Sequence, residues 1–329
     1  MHFSVIIPVY NRPGEVEELL QSLAGQGYNS FEVIIVEDGS TVPCSDIVNK
    51  FASELKINYY FKENTGPGLT RNYGAERAKG EYLIFFDSDC IIPNNYFTRV
   101  EEELAAEYVD FFGGPDATHP SFTNVQKAIG YSMTSFFTTG GIRGGRVKLE
   151  RFTPRSFNMG INAEVFHSVG GFSNMRFGED VDLSLRLFEK GFTSRLFPKA
   201  FVYHKRRTDF RKFFKQVFNS GMARINLSKN HKGSLKMVHL LPSGFVLVMS
   251  AAILLSWAFP IILTLPLLYT FAIMFDSLLK GNSLTVAILS IVAAWVQLYG
   301  YGLGFIYATW LWVVHGKSPN GAFTKNFYR

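Results

Sequence analysis

The sequence predicts an α/β fold with a mostly parallel sheet flanked by helices, followed by membrane-spanning helices. In the first half of the chain, apolar runs of strand length alternate with segments of helical periodicity. Near its end, residues 239–279 contain one charged side chain, Asp276, and residues 284–314 contain none. Because a span requires about 20 apolar residues, these stretches have room for about three spans. An arrangement with two or four spans is the alternative.

Charge divides the chain into three zones, which set the predicted domain limits. Residues 1–203 hold 19 Lys/Arg and 25 Asp/Glu, residues 204–236 hold ten Lys/Arg and one acid, and the remainder is nearly uncharged. A basic zone beside an apolar one indicates anionic lipid headgroups rather than nucleic acid as the partner. We predict a domain at 1–205 (halves 1–112 and 113–205), a basic amphipathic helix at 206–236, transmembrane helices at 237–316 and a tail at 317–329.

Strands and helices of the first domain follow from local patterns. Four β-rich runs, at residues 3–9, 31–36, 57–61 and 82–86, predict strands. Helical spacing of Val16, Leu19, Leu20 and Leu23 predicts a helix after the first strand, and residues 68–79 predict another. Strand, helix, strand, strand, helix, strand is the order of a parallel α/β sheet.

The second half of this domain is less regular. A strand and turn are predicted at 157–163, a short helix at 164–169, a helix from 179 to about 190, and a short apolar run at 201–204. Residues 113–156 give no clear pattern. Their Gly-rich stretch at 140–145 is typical of a mobile loop near a substrate, or of a surface excursion without function.

Two carboxylates follow the predicted strand at 82–86. Asp87 and Asp89 are one residue apart, and in an extended backbone they project to the same side. Ligands of open α/β sheets bind at this carboxyl end of the strands. Like charges this close are offset by a cation, and a hard divalent ion that also grips phosphates would serve. The alternative is an ordinary polar turn.

Further polar residues occur near the other predicted strand ends. Asp38 follows the second strand, where it suits either an Asp-Gly turn or a bond to a nucleotide base or ribose. Arg71, on the helix at 68–79, has the planar fork that pairs with phosphate. The chain has no Gly-Lys-Ser/Thr phosphate loop here, and Gly-x-Gly-x-x-Gly does not follow the first strand. These absences argue against a Walker-type phosphate loop in this stretch and against a dinucleotide-binding oxidoreductase.

Four motifs occur in order: Ser4-Val-Ile-Ile-Pro-Val-Tyr-Asn-Arg12, Val36-Glu-Asp-Gly-Ser40, Gly68-Leu-Thr-Arg-Asn-Tyr-Gly74 and Phe86-Asp-Ser-Asp89. Together they resemble glycosyltransferase family 2, inverting enzymes with the A-type nucleotide-sugar fold. The resemblance covers roughly residues 3–220. It implies a nucleotide-sugar pocket lined by Pro8, Tyr10, Arg12, Asp38, Arg71 and Asp87. It also implies that Asp89, with Asp87, holds Mn²⁺ or Mg²⁺ against the diphosphate.

The resemblance also assigns the acceptor side. The pair Glu179-Asp180 follows a Gly-Gly-Phe segment, as in the family, so Asp180 would be the general base, with Gly178 and Glu179 beside it. The alternative for both acids is capping of a helix N-terminus. Related enzymes carry a metal-binding His after this helix, which points to His204. A packed, hydrogen-bonded histidine is the alternative there.

The basic zone contains an amphipathic pattern. Phe210, Phe213, Val217 and Met222 fall on one helical face from residue 209 to 228, and Arg211 and other basic residues fall elsewhere. This pattern predicts a helix lying in a membrane interface, or else one packed on the sheet. The N-terminus lacks the features of a signal peptide, so we expect the first domain in the cytoplasm and the chain in a bacterial inner membrane. Three spans would put the basic tail outside, against the positive-inside bias.

The sequence therefore predicts a membrane-anchored enzyme that transfers one sugar from a nucleoside-diphosphate sugar, first a UDP-sugar, to a lipid-linked acceptor. A processive polysaccharide synthase is a rival, but residues 216–220 do not match the Gln-x-x-Arg-Trp segment of that class. A polyprenyl-phosphate glycosyltransferase shares fold and anchor. A catalytically silent membrane scaffold is the non-enzymatic alternative. Cys44 and Cys90 imply no disulfide framework.

Overall fold

The computed structural model describes residues 1–140 and 152–316. They form two compact units: the sheet unit, of residues 1–119 and 152–205, and the helical unit, of residues 120–140 and 206–316. Most of the Gly-rich stretch predicted as a mobile loop, and the whole predicted tail, lie outside the described residues. The units interleave along the chain, because residues 120–140 belong to the helical unit but lie between the two segments of the sheet unit. From the sequence, these residues were assigned to the 113–205 half of the first domain. The predicted domain limits stay a prediction.

The sheet unit is built on a seven-stranded and a three-stranded sheet. Its described strands are β1 (Phe3–Val9), β2 (Phe31–Asp38), β3 (Ile57–Lys62), β4 (Tyr82–Phe86), β5 (Cys90–Ile91), β6 (Phe111–Gly113), β7 (Asp116–Ala117), β8 (Asn158–Asn162), β9 (Ser194–Leu196) and β10 (Val202–His204). The large sheet has the order β3-β2-β1-β4-β8-β6-β9, and the small one β5-β10-β7. Strands β1 to β4 are parallel, whereas β8 is antiparallel to β4 and β6. Four parallel carboxyl ends therefore lie at one edge.

Helices cover both faces of the large sheet. They are α1 (Pro13–Ala24), α2 (Ser45–Lys50), α3 (Pro67–Ala75), α4 (Tyr96–Ala106), α7 (Ala163–Ser168) and α8 (Glu179–Glu189); α5 (Asn124–Thr134) and α6 (Phe136–Thr139) belong to the helical unit. Phe3, Val5 and Ile7 of β1 pack in one core with α1 and α4, and Ile6 packs in a second core with α8. Because side chains alternate along a strand, β1 supplies both cores, which explains its almost unbroken apolar sequence.

Helix α3 is shorter than the helix predicted at 68–79. It ends at Ala75, and the chain then turns so that the backbone N–H of Lys79 donates to Glu32 (2.8 Å) and that of Gly80 to Ser4 (2.8 Å). Both acceptors lie on the sheet, on β2 and β1. These bonds lead the chain out of the helix and into β4, which a helical sequence pattern does not reveal.

The helical unit contains six α-helices among its described residues. They are α5 (Asn124–Thr134), α6 (Phe136–Thr139), α9 (Phe210–Asn230), α10 (Leu241–Leu255), α11 (Thr264–Leu279) and α12 (Leu284–His315), with 3₁₀ turns at Met237–His239 and Pro260–Leu263. The turn at Pro260–Leu263 separates α10 from α11 within the apolar stretch 239–279. Buried residues of α9 pack against α12, so the apolar face of the predicted interfacial helix is partly covered. Its place in an interface stays a prediction.

Residues 120–140 belong to the helical unit through both apolar and polar contacts. Ile129 of α5 packs with Phe213 of α9 and Val286 of α12. The hydroxyl of Tyr131 donates to Asp276 of α11 at 2.5 Å, and Lys280 lies 2.7 Å from the same carboxylate. Pairing satisfies the one acid of this apolar region, which would be costly if buried alone.

Glycines permit close approach of three helices. A Cβ built on Gly304 of α12 would meet the carbonyl oxygen of Phe218 on α9 at 2.1 Å, and one on Gly221 of α9 would meet the carbonyl oxygen of Tyr301 at 2.2 Å. A Cβ on Gly302 would meet the carbonyl oxygen of a residue of α10 at 2.5 Å. Small residues at such crossings let helix backbones touch. The packing of α12 therefore depends on its glycines.

Large apolar side chains of the helical unit are exposed. Trp257 is 94% exposed and Ile261 75% exposed, and they are joined by Leu254, Leu268, Leu279 and Val313. Two helical segments are long and apolar enough to cross a membrane, Pro260–Leu279 and Leu284–His315, and Leu241–Leu255 is a shorter apolar helix. Exposed apolar area of this extent marks a surface that contacts lipid or another protein.

Replacing Gly304 with Ala should destabilise the helical unit, because the new methyl group has no room beside the Phe218 carbonyl. Overpacking of this kind costs about 1–3 kcal/mol. Gly244→Ala, on α10, is the matched control: nothing lies within 4 Å of its built Cβ, and Ala favours a helix over Gly by about 1 kcal/mol. Thermal unfolding of the detergent-solubilised chain should show a lower Tm for Gly304→Ala only. Equal Tm values for the two variants would contradict the glycine crossing.

Candidate active site

The segment after β4 is a turn and not an extended strand. The backbone N–H of Cys90 donates to the Asp87 carbonyl at 3.1 Å, so the assumption that Asp87 and Asp89 share one side of an extended backbone is wrong. The chain turns here because β5 must begin at Cys90 to pair with β10. Both carboxylates nevertheless lie near the side chain of a third residue, His204.

His204 brings the acids together. Its Nε2 lies 3.1 Å from Oδ1 of Asp89 and 4.0 Å from Oδ2 of Asp87. Strand pairing fixes this position, since His204 lies opposite Cys90 in the small sheet and the N–H of Lys205 donates to the Asp89 carbonyl at 3.0 Å. The imidazole also stacks on Phe157 with ring centroids 4.4 Å apart. His204, distant in sequence, thus presents a nitrogen atom beside the oxygen atoms of two neighbouring acids.

These atoms fit a divalent cation. Carboxylate oxygens suit Mg²⁺ and Mn²⁺, and neutral imidazole is a common metal ligand. The side chain of Cys90 also lies near Asp89 and His204, with ligand atoms within 4.8 Å of one another. Its thiol, however, is buried and donates to the Phe157 carbonyl at 3.6 Å. The oxygen and nitrogen donors closest together are therefore those of Asp89 and His204, and Asp87 lies 4.0 Å from the imidazole.

Arg12 adds a positive charge to this cluster. The residue precedes α1, and its Nη1 lies 3.2 Å from Oδ2 of Asp89 and 3.5 Å from Glu15. Arg12 was predicted to bind the nucleotide sugar. The structure places it beside the acid predicted to hold the metal.

Arg71 is buried between two acids. Its Nη2 lies 2.6 Å from Asp87 and its Nη1 3.1 Å from Glu179, and only 3% of its side chain is exposed. Burial alone would lower the pKa of Arg71, but Asp87 and Glu179 outweigh it and raise that pKa. Burial, together with the charge of Asp180, raises the pKa of Glu179 in spite of Arg71. Arg71 thus links the end of β4 to the start of α8.

The neighbouring Asn72 strengthens this link. Its side-chain amide donates to the carbonyl of Phe172 and accepts from the N–H of the same residue, both at 2.8 Å. Phe172 in turn lies under the Arg71 guanidinium, 5.5 Å from ring centroid to Cζ. Helix α3 therefore holds the Gly-Gly-Phe turn that precedes α8.

Asp180 lies at the start of α8, next to Glu179. Gly178, in the left-handed region at φ 82°, lets the chain enter the helix. Asp180 accepts the N–H of Val181 at 2.8 Å and pairs with Arg155 at 3.3 Å. Its carboxylate thus serves both the helix N-terminus and an ion pair, and its side chain is 12% exposed.

Asp38 is closed in by its own chain. Its carboxylate accepts from Lys62 at 2.6 Å and from the N–H groups of Thr65 and Gly66 at 2.8 and 2.9 Å. Pro8 lies opposite Val36 in the sheet register, and Pro8 and Tyr10, around the end of β1, are half-buried. The predicted nucleotide residues therefore gather at the carboxyl ends of β1 and β2, apart from Arg12, Arg71 and Asp87, which gather around β4.

Three contributors were missed from the sequence. Lys62 and Arg155 pair with Asp38 and Asp180, and neither belongs to a motif. Asn11, in the left-handed region at φ 54°, accepts the N–H groups of Thr41 and Val42 at 2.7 and 2.9 Å, and so joins the loops after β1 and β2. A positive φ suits Asn better than most residues, so its position after a strand was the available signal.

Known proteins are similar to this chain in sequence and in fold. Residues 4–170, which are 167 of the 329, match the family described as Glycosyl transferase family 2. The chain belongs to this family. The match includes all four motifs up to Asp89 and ends before Glu179 and Asp180, so the acceptor-side assignments stay predictions.

Relatives of this family member differ in length. Poly(ribitol-phosphate) beta-N-acetylglucosaminyltransferase TarS of Staphylococcus aureus is 38% identical over 114 residues, 33% of this chain and 19% of TarS. Glycosyltransferase AglE of Haloferax volcanii is 26% identical over 257 residues, 72% of this chain and 78% of AglE. Matches to three uncharacterised Rickettsia glycosyltransferases span 13–16% of those proteins. The chain thus covers less than a fifth of several relatives.

Solved structures share the fold. The mannosyltransferase PcManGT from Pyrobaculum calidifontis, in complex with GDP-Man and Mn²⁺, superposes with a TM-score of 0.61 at 16% identity, over 94% of this chain and 87% of that one. Staphylococcus aureus TarS 1–349 in complex with UDP-GlcNAc gives 0.50 at 18% identity, over 94% and 92%. The predicted α/β fold of the A type is confirmed.

Arg71→Met should strongly destabilise the sheet unit, because Asp87 and Glu179 would lose their shared cation. Breaking a buried pair by removing one partner costs about 3–5 kcal/mol. Arg77→Met is the control. Arg77 follows α3, its side chain is 32% exposed and its guanidinium stacks on the ring of Tyr73. Its replacement should cost about 1 kcal/mol or less. Urea unfolding, followed by far-ultraviolet circular dichroism, measures the stability of both variants. Similar unfolding midpoints would contradict a buried role for Arg71.

Proposed function

We propose that this chain is a membrane-anchored inverting glycosyltransferase, working at the cytoplasmic face. It would move one sugar from a nucleoside-diphosphate sugar to a hydroxyl of a lipid-linked glycan in cell-surface polysaccharide or glycolipid synthesis. The observation that carries the proposal is a series of ion pairs at one edge of the sheet. Asp87 belongs to the Asp89–His204 cluster and pairs with Arg71, whose other partner, Glu179, adjoins Asp180. A cation site and a base are thereby held together.

The donor proposal favours a UDP-sugar. TarS, which is named for N-acetylglucosamine transfer and has a structure with UDP-GlcNAc, is 38% identical over its matched segment. By structural superposition PcManGT, which has a structure with GDP-Man, is 16% identical and TarS 18% identical, so the two differ little in identity over the whole chain. The preference for a UDP-sugar therefore rests on the local sequence match to TarS. Pro8, Tyr10 and Asp38 would line the base and ribose end of that pocket.

The proposed reaction is a single displacement. The acceptor hydroxyl gives its proton to the Asp180 carboxylate as its oxygen forms a bond to the anomeric carbon. The bond from that carbon to the diphosphate oxygen breaks on the opposite face, and the nucleoside diphosphate leaves with the electron pair. Bound at Asp87, Asp89 and His204, Mn²⁺ or Mg²⁺ would offset the charge developing on the leaving group. Attack from the opposite face inverts the anomeric configuration.

Membrane anchoring is supported by the helical unit. Two segments reach the length and apolarity of a span, and large apolar side chains are exposed on them. Lys232 and Lys236 are exposed beside exposed Met237, immediately before α10. Lysines next to apolar side chains are typical of contact with anionic headgroups. An anchor in lipid is compatible with an acceptor that is itself lipid-linked.

Two rival functions differ in product or in chemistry. A polyprenyl-phosphate glycosyltransferase would make a phosphate ester of the sugar, which mass spectrometry of the lipid product separates from a glycosidic link. A silent scaffold would retain the fold without turnover. The paired placement of Asp89 with His204 and of Asp180 with Arg155 favours an enzyme, since a scaffold does not require these acids.

Nucleotide release tests the proposal directly. Purified full-length chain in detergent with Mn²⁺ should release the nucleotide from one class among UDP-, GDP-, dTDP- and CMP-sugars, and a lipid extract should raise the rate. Asp180→Asn should lower turnover by roughly 10²–10⁴-fold, the usual contribution of a positioned base, and leave nucleotide binding unchanged. Unchanged turnover in this variant would refute the base assignment. No release and no binding by the unmodified chain would favour the scaffold.

Metal binding tests the cation site without turnover. Asp89→Ala should abolish Mn²⁺ binding, measured by electron paramagnetic resonance of the free ion, because the acid nearest His204 is removed. Asp46→Ala, an acid in the first turn of α2, is the control and should bind Mn²⁺ as the unmodified chain does. Mn²⁺ affinity that survives in Asp89→Ala would place the ion elsewhere.

A further inference from the structure

Two neighbouring acids at the start of α8 have different cationic partners. Glu179 pairs with Arg71, which is almost fully buried, whereas Asp180 pairs with Arg155, whose side chain is 32% exposed. Nη1 of Arg155 lies 3.4 Å from Oδ1 and 3.3 Å from Oδ2 of Asp180. One nitrogen of the guanidinium therefore lies close to both oxygens of the proposed base.

The backbone of Arg155 is held firmly. Its carbonyl accepts the N–H of Asn158 at 3.0 Å, in an isolated bridge before β8. Asn158 is fully buried, and its side chain accepts from the hydroxyl of Tyr96 at 2.6 Å and donates to the Ala200 carbonyl at 2.8 Å. The guanidinium thus extends from a fixed point in the sheet.

A second contact restrains the carboxylate of Asp180. The N–H of Val181 donates to Oδ1 at 2.8 Å, which fixes one oxygen at the helix N-terminus. A single such bond leaves the carboxylate free to rotate about it. Arg155, which lies near both oxygens, limits this rotation. A general base must have one oxygen aimed at the hydroxyl proton, and misplacement by about 1 Å can cost about 10²-fold in rate.

We propose that Arg155 is a positioning residue for Asp180, an inference that rests on the proposed function. It sets the orientation of the base carboxylate and compensates its charge until the acceptor hydroxyl arrives. Because the pair is partly exposed, it contributes little to stability. Loss of Arg155 should therefore lower turnover far more than it lowers stability.

The first test separates positioning from binding. In the full-length chain, Arg155→Gln should lower kcat by about 10²-fold, with KM for donor and acceptor, nucleotide affinity and Tm unchanged. Arg155→Lys should recover part of kcat, since it restores the charge without the fork. Arg195→Gln is the matched control: Arg195 is 26% exposed and pairs with Glu103 and Glu107, outside the site. It should turn over as the unmodified chain does.

Two further readouts exclude a merely structural role. Added guanidinium ion should raise kcat of Arg155→Gln, and should not raise that of Asp180→Asn. In the Asp180→Asn background, Arg155→Gln should cause no further loss, because residues that act as a unit are not additive. The double variant also keeps the test valid if Arg155→Gln alone proves unstable, since a folding defect would add to the loss.

The outcomes are distinct. Full turnover by Arg155→Gln overturns the positioning role, and so does a rise in donor or acceptor KM at unchanged kcat, which would make Arg155 a binding residue. Additive losses in the double variant overturn it as well. Absence of transfer by the unmodified chain is a failure of the proposed function itself, and nucleotide release with Mn²⁺ detects this before any variant is made.

Discussion

A buried guanidinium shared by two carboxylates is the interaction on which the rest of this site depends. Taking Arg71 out of water is costly, and the cost is offset only when Asp87 and Glu179 are both in place. These partners are separated from it by 16 and 108 residues. The two ion pairs therefore require α3, the turn after β4 and the start of α8 together.

Around this fixed centre, the acids of the site have partners that are less buried. Asp89 has Arg12, Asp180 has Arg155 and Asp38 has Lys62. A ligand that enters this edge thus meets carboxylates whose charge is already compensated. The free energy of binding would then be the difference between the contacts that the ligand makes and the contacts that it displaces. The basic residues of the chain itself would therefore set part of the affinity.

The sequence predicted what is local and missed what is distant. Strand β4 has the bounds predicted from five apolar residues in a row, and α8 begins at the predicted Glu179. The turn at Asp87 was missed because it depends on pairing between β5 and β10, which are short and far apart in sequence. Arg155 and Lys62 were missed for the same reason: an isolated basic residue gives no sign of which acid it will meet. The family motifs named most of the site residues, but not the contacts that hold them.

The interleaving of the two units has a consequence for expression. A chain cut after residue 205 would keep α5, whose Ile129 and Tyr131 pack against helices that come later in the chain. Such a fragment would carry an apolar helix without its cover, between two segments of the sheet unit, and would aggregate even with a sound sheet. Expression of the sheet unit by itself would thus require two edits, removal of the C-terminal helices and replacement of residues 120–140 by a polar linker.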